Sequence, residues 1–306
     1  LKEVKGAAYY MKLGVVVNPF AGRGVDEKLV RSVVEKLGEA VLAGEEELGE
    51  RYVNAKPVKI QRSYSGKDTT QLVKAMDGKV DAIVVFGGDG TASDAASAMP
   101  ETPLLCIGTG TTNAGWLITP PEFNPERLKV VEVDALLLKE TGKLAFNDIA
   151  AGNTILTTME DRIAHVDAER FMKGEKVPCT PKKFRAKVTI DEKTIEGVFG
   201  NVFVNLTSES FLGKGTAGGT AISTFVGFPA VVGCVSHPIV VADYTKEDLR
   251  KVEPIETVTL SLDYGEEAVI ECDTVISADG NPQLKGRATI SVIEKAVRVI
   301  KIKEDI

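Results

Sequence analysis

Apolar and polar positions alternate in two different ways along this chain, and the change falls before its middle. In the first third, short apolar runs are followed by stretches with helical spacing. Leu13 to Val17 reads as a strand closed by Asn18-Pro19-Phe20-Ala21-Gly22-Arg23-Gly24. From Asp26, a candidate N-cap, Val30, Val33, Val34 and Leu37 fall on one face of a predicted helix. Val58 to Ile60 reads as a short strand, Asp68 to Met76 as a helix and Asp81 to Phe86 as a strand. That strand empties into Gly87-Gly88-Asp89-Gly90-Thr91, and a small-residue helix is predicted over Ala92 to Ala98. Leu104 to Ile107 is a further strand, ending in Gly108-Thr109-Gly110-Thr111-Thr112-Asn113. Repeated strand–helix units with loops at the strand ends predict a parallel sheet with a ligand crevice at that edge.

After the turn-rich stretch Pro120-Pro121 to Asn124-Pro125 the period changes to that of strands. The runs are Val130–Leu138, Lys143–Ile149, Arg185–Ile190, Val198–Leu206, Thr257–Leu262, Ala268–Ile270 and Thr289–Val292. One polar stretch, Thr158 to Lys173, reads as helix-like and interrupts them. The predicted fold is therefore α/β: an N-terminal parallel-sheet α/β domain over residues 1–126 and a C-terminal, mainly antiparallel β domain over 127–306. Whether the last strand returns to the first domain stays open.

Charge and composition narrow the function classes. A net charge of −7, from 37 basic and 44 acidic residues, argues against a nucleic-acid-coating role. Nucleotide binding remains open, because loops and helix ends supply positive field locally. The four cysteines lie far apart with no C-x-x-C pair, and only His165 and His237 are histidines. Zinc, disulfide and triad chemistry are thus disfavoured, and reduced thiols in a cytoplasmic protein are expected. Thr216 to Ala242 carries no charged residue, yet Gly218, Gly219, Gly227, Pro229, Gly233 and Pro238 break it. It reads as buried strands and a ligand-lining loop, so stable membrane insertion is not expected. The first apolar stretch is short and ends in Asn-Pro, so no signal peptide is expected.

Several glycine loops match common nucleotide patterns only in part. Gly66-Lys67 fails as a phosphate loop, since Gln61 stands where the first glycine belongs and Asp68 replaces the hydroxyl residue. Gly213-Lys214-Gly215-Thr216-Ala217-Gly218 has dinucleotide spacing but no strand–helix–strand unit around it. The Gly87–Thr91 loop is different. Its glycines let phosphate approach the main chain, and the following helix start favours an anion. A carboxylate among them suits carrying Mg²⁺ or taking a proton from an attacking hydroxyl. The structural alternative is a tight turn with Asp89 capping the helix. Asn147-Asp148 could likewise be a strand-end turn, and Asp279-Gly280 is a strong hairpin signal whatever the function.

Asn18-Pro19-x-Ala21-Gly22-x-Gly24 together with Gly87-Gly88-Asp89-Gly90-Thr91 resembles the superfamily joining NAD kinases, diacylglycerol and sphingosine kinases and 6-phosphofructokinases. Phe146-Asn147-Asp148-Ile149 is similar to the Asn-Glu motif of NAD kinases, with aspartate in place of glutamate. Thr220-Ala221-x-Ser223, after Gly218-Gly219, resembles their Gly-Ser-Thr-Ala-Tyr segment, with Ile222 for tyrosine. Asp279-Gly280 falls where the family has a late Asp-Gly turn. Gly108 to Asn113 and the Asn-Pro-x-Ala-Gly opening look closer to the lipid-kinase branch, a mixture similar to divergent archaeal-type ATP-NAD kinase-like proteins.

The resemblance implies transfer of the γ-phosphoryl of ATP, or of polyphosphate, to the adenosine-ribose 2′-hydroxyl of NAD, giving NADP. Asp89 is then the catalytic base. Asn18, Gly22, Gly24, Gly87, Gly88, Gly90, Thr91, Gly110 and Asn113 hold the phosphate donor. Asn147, Asp148, Gly218, Thr220, Ala221 and Ser223 bind the acceptor. Mg²⁺ is expected to travel with the donor phosphates, without a protein cage of its own. A homodimer or homotetramer is implied. Two alternatives stand beside this reading: a lipid or small-alcohol kinase of the same superfamily, and a non-catalytic NAD- or ATP-binding sensor.

Overall fold

The computed structural model describes residues 10–303 apart from 23, 111, 112, 114, 160, 161, 208–221, 239–245 and 253. The chain forms two compact units, Leu1–Val133 with Lys295–Ile306, and Asp134–Glu294.

The first unit is built from β1 (Met11–Val17), α1 (Glu27–Leu37), β2 (Gly38–Gly44), β3 (Lys56–Val58), α2 (Gly66–Met76), β4 (Ala82–Gly87), α3 (Asp89–Ala96), β5 (Leu104–Gly108) and β6 (Ile118–Thr119). The strands pair in parallel in the order β3-β2-β1-β4-β5. Helical crossovers force this arrangement, since parallel neighbours need long connections. Strand order reverses between β1 and β4, so the loops leaving those two strands part and open a crevice at their C-terminal ends. α1 buries Val30, Val33, Val34 and Leu37, and Asp26 caps it by accepting the Lys28 N–H at 2.9 Å. The core beneath it joins Leu13, Val15 and Val17 of β1 to Val84 and Phe86 of β4.

Three expectations need correcting here. Gly38–Gly44 is a strand that the apolar pattern does not reveal. β3 covers Lys56–Val58 rather than Val58–Ile60. α3 starts at Asp89, not Ala92, which places the aspartate in the helix's first turn.

The second unit is antiparallel. Its strands complete the chain order as β7 (Leu128–Leu138, entering from the first unit), β8 (Lys143–Ala145), β9 (Asp148–Gly152), β10 (Thr154–Met159), β11 (Arg162–Asp167), β12 (Phe184–Ile190), β13 (Lys193–Phe199), β14 (Asn201–Leu206), β15 (Ala230–Val235), β16 (Thr257–Leu262), β17 (Ala268–Ala278) and β18 (Asn281–Ile302, leaving for the first unit). The order β16-β15-β14-β9-β17-β18 carries β12 and β13 as a branch from β17. Inward residues such as Ile149, Val202, Val204, Val232, Ile270 and Ile276 form one buried core. All six residues of β15 are buried, which explains the uncharged sequence there.

The helix-like stretch Thr158–Lys173 is a correction. Thr154–Met159 and Arg162–Asp167 pair antiparallel, and among the described residues of the stretch only Ala168–Phe171 is helical. Thr154, Thr157, Thr158, Ile155, Ile163 and Val166 are β-branched, a composition that favours paired strands over an isolated polar helix. No helix among the described residues is long and apolar enough to cross a membrane.

Candidate active site

The loops that leave β1, β4 and β5 meet in the first unit around a cavity of about 540 Å³. Eight of the residues expected to hold phosphate or do chemistry line it: Asn18, Gly22, Gly88, Asp89, Gly90, Thr91, Gly110 and Asn113. Gly24 and Gly87 do not line it; Gly87 ends β4, pressed against Thr91.

Close backbone approach explains the glycines. A Cβ on Gly110 would lie 2.7 Å from the Cα of Gly88, and one on Gly22 would lie 2.6 Å from the Thr109 carbonyl oxygen. Three loops therefore touch main chain to main chain, a floor that no side chain interrupts. Side-chain amides hold that floor together. Asn18 Nδ2 donates to Thr91 Oγ1 at 2.8 Å, and Asn18 Oδ1 accepts the Phe20 N–H at 3.0 Å. Asn113 clasps Gly110 from both sides, accepting its N–H at 2.8 Å and donating to its carbonyl at 2.7 Å.

The helices that border the cavity start differently. Ser65 caps α2 through its hydroxyl, whereas α3 begins after Gly88 with no side-chain cap. The first-turn N–H groups of α3 and the positive end of its dipole thus favour an anion from outside the chain. Asp89 sits in that first turn, half-buried, with Oδ1 accepting the Gly115 N–H at 2.7 Å. The N-cap position itself is Gly88, and β4 passes into α3 through this tight turn. Lys301 of β18 steadies the loop that carries Gly115: its ammonium donates to the Trp116 carbonyl at 2.7 Å and lies 5.2 Å from the indole centroid. The buried Thr109 hydroxyl has no hydrogen-bond partner among the described residues.

The opposite wall is one that the sequence reading set aside. The loop Arg62–Gly66 lines the same cavity, organised by Asp68 at the start of α2. The Asp68 carboxylate accepts the Ser63 N–H at 2.7 Å, the Ser63 hydroxyl at 2.6 Å, the Tyr64 N–H at 3.0 Å and Arg62 Nε at 3.1 Å. Burial alone would raise its pKa, but the Ser63, Arg62 and Tyr64 donors outweigh burial and hold the carboxyl below its usual range. Arg62 also pairs with Glu47 at 3.0 Å. Ser65-x-x-Asp68 has capping-box spacing, and that signal could have placed this loop before the structure did. Asp94 of α3 faces Gly66 so closely that a Cβ there would meet its carboxylate, and it too lines the cavity.

In the second unit, Asn147 and Asp148 form a turn held by one carboxylate. Asp279 accepts the N–H groups of Phe146 and Asn147, each at 2.9 Å, and of Asp148 at 3.2 Å. Asp279 and Gly280, with φ of +47° and +74°, make the two-residue turn between β17 and β18. Asn205 lies opposite Asp148 across β14 and β9, only 3% exposed, and its side-chain oxygen has no partner among the described residues. Sequence motifs did not single it out. Ser223 is buried, its hydroxyl 2.9 Å from that of Ser261. Gly218, Thr220 and Ala221 lie outside the described residues, as does Lys214. The cysteines are free, and burial pushes the Cys106 and Cys234 thiols up to about 12.

Residues 12–118 match the family model described as the diacylglycerol kinase catalytic domain. An uncharacterized protein of Archaeoglobus fulgidus is 52% identical over 299 residues, spanning 95% of this chain and 98% of its own. The crystal structure of a diacylglycerol kinase from Bacillus anthracis str. Sterne shares the fold, with a TM-score of 0.54 at 17% identity over 94% of this chain and 96% of that one. Yeast NADH kinase complexed with NADH aligns at a TM-score of 0.48 and 14% identity over 97% of this chain and 84% of that one, a likeness too slight to argue from. With its glycine-floored cavity and the match over residues 12–118, the chain belongs to the kinase superfamily that joins diacylglycerol kinases and NAD kinases.

Proposed function

We propose that this protein is a phosphotransferase that moves the γ-phosphoryl group of ATP to the adenosine-ribose 2′-hydroxyl of NAD, giving NADP. The observation that carries the phosphoryl-transfer part is the convergence on one cavity of an uncapped helix start, two touching glycines and the Asp89 carboxylate. The triphosphate lies along the Gly88–Gly110 seam, with its outer phosphate at the first-turn N–H groups of α3. Asp89 accepts the proton of the acceptor hydroxyl as its oxygen bonds to the γ-phosphorus. The bond to the β,γ-bridging oxygen breaks, and ADP leaves with that electron pair. Asp89 and Asp94 line the cavity and would offer oxygen ligands to an Mg²⁺ ion carried in by the phosphates, which would neutralise part of their charge. Polyphosphate is the other donor with this chemistry.

Acceptor choice rests on the second unit. Polar side chains cluster there, Asn147 and Asp148 in the turn held by Asp279 and Asn205 opposite Asp148, which supports a polar acceptor such as a nucleoside. A lipid alcohol is the second reading, favoured by the diacylglycerol kinase match over residues 12–118. One assay separates them. The protein is incubated with ATP and Mg²⁺, and with either NAD or diacylglycerol in mixed micelles, while NADP and phosphatidic acid are both followed. NADP formation that disappears in Asp89→Asn supports the first reading. Phosphatidic acid alone moves the assignment to the lipid branch, and binding of NAD without any product makes the protein a sensor.

A further inference from the structure

The donor cavity has a feature that phosphate binding does not use. Phe20 and Tyr64 both line it, and their side chains are 79% and 80% exposed. Among the described residues only Tyr10, Phe20, Tyr64 and Phe225 are aromatic and more than two-thirds exposed, so two of the four stand at one opening. Leaving such rings in water forgoes the burial that usually decides where aromatics go.

Both rings are put there by built contacts. The Phe20 N–H donates to Asn18 Oδ1 at 3.0 Å, which turns the loop after β1 and directs the ring outwards. Tyr64 has φ of +55°, a left-handed conformation that a bulky residue adopts only when its surroundings impose it. Here the Asp68 carboxylate imposes it by taking the N–H groups of both Ser63 and Tyr64. The Arg62 guanidinium lies 4.9 Å from the Tyr64 ring centroid and is itself fixed by Glu47 and Asp68. Arg62 thus orients the ring without covering it.

We infer that Phe20 and Tyr64 form a stacking platform for the base of the phosphate donor. This rests on the donor site proposed above and deepens it: the donor is a nucleoside triphosphate, not inorganic polyphosphate. A polyphosphate chain presents only charged oxygens and gains nothing from two aromatic rings. A base presents a π-face to each, and every base has one, so the platform fixes the class of donor without choosing among purines.

The test compares binding of Mg·ATP and of inorganic tripolyphosphate by calorimetry, in the wild-type chain and in Phe20→Ala, Tyr64→Ala and the double variant. Both side chains are exposed, so the thermal midpoints should stay unchanged. Each single variant is expected to weaken ATP about tenfold while leaving tripolyphosphate as it was. Tyr64→Phe and Phe20→Tyr should retain ATP affinity, because a ring remains. Unchanged ATP affinity in the double variant, an equal loss for both ligands, or wild-type tripolyphosphate binding as tight as ATP binding would each overturn the platform and leave the donor site standing. Failure of the wild-type chain to bind either ligand would remove donor site and platform together. Binding without turnover, with the expected variant pattern, would keep the platform and set aside only the proposed reaction.

Discussion

Asp89-Gly90 and Asp279-Gly280 are the same dipeptide beside a strand end, one in each unit, and their carboxylates have different work. Asp279 wraps its oxygens in three backbone N–H groups of residues 146–148 while its own backbone turns through positive φ. Asp89 stands in the first turn of α3, steadied by the Gly115 N–H, on the wall of the glycine-floored cavity. A carboxylate spent on backbone donors builds shape. A carboxylate held at a helix start, where first-turn N–H groups favour an anion, suits the proton transfer proposed for Asp89. Residue type and neighbouring glycine do not separate the two; what the carboxylate's oxygens touch does.

The sharpest way to break this contrast is to neutralise each carboxylate. Asp89→Asn is expected to lower kcat by about 10²–10⁴-fold, the usual contribution of a positioned general base, with a urea midpoint close to wild type. Asp279→Ala should do the reverse at first order. It orphans three N–H groups, so unfolding free energy should fall by about 3 kcal/mol in urea titration. Residual turnover below the new midpoint would survive, with a raised KM for the acceptor. If Asp279→Ala kept full stability, or Asp89→Asn kept full turnover, the division of labour would be wrong.

Asp68 extends the comparison, because it lines the same cavity as Asp89 yet resembles Asp279 in its contacts. Its carboxyl is held below the usual range despite burial, by Ser63, Arg62 and Tyr64, and Asp77 is shifted the same way by the donors of Thr102, Glu101 and Gly78. The sign follows from linkage. A group with a lowered folded pKa stabilises the fold above its unfolded value, about 3.9 for aspartate, and loses that contribution as pH falls through the folded value. The urea midpoint of the wild-type chain should therefore hold from pH 7 to about pH 4 and drop below it. In Asp68→Asn the midpoint should start lower, by about 2 kcal/mol of stability at pH 7, and fall less steeply in acid. A variant with the wild-type slope would show that Asp68 does not carry this dependence.

Much of the first unit was legible because its elements agree locally with their environment. Val30, Val33, Val34 and Leu37 fall on one face and are buried, and Asp26 caps their helix as its position before an apolar period suggests. Gly38–Gly44 was not legible. Its two glycines, two alanines and Glu39 have weak strand preference, and pairing with β1 and β3 on either side imposes the conformation. The Thr158–Lys173 stretch misled for the opposite reason: its polarity suggested a helix, but the pairing of Thr154–Met159 with Arg162–Asp167 sets the outcome. At the site, glycine loops pointed to the cavity floor because close approach leaves a compositional trace. The Arg62–Tyr64 wall left only the Ser65-x-x-Asp68 spacing as a trace, since the left-handed turn that Asp68 imposes on Tyr64 is marked by no glycine.

The smallest expected effect probes the floor itself. Gly90 and Gly110 both line the cavity, yet a Cβ on Gly90 would meet nothing within 4 Å, whereas one on Gly110 would come within 2.7 Å of Gly88 Cα. Gly90 is also not among the residues with positive φ, so alanine fits its backbone in the first turn of α3. Gly90→Ala should raise stability by about 0.5 kcal/mol through the unfolded chain's lost freedom. Gly110→Ala should push the two loops apart and weaken Mg·ATP binding, whatever it does to the melting temperature. If both substitutions weakened ATP equally, the phosphates would need glycine at position 90 for their own approach, and the seam between Gly88 and Gly110 would lose its special standing. If neither did, the donor would not run along that floor at all, and the helix start beside Asp89 would have to hold it alone.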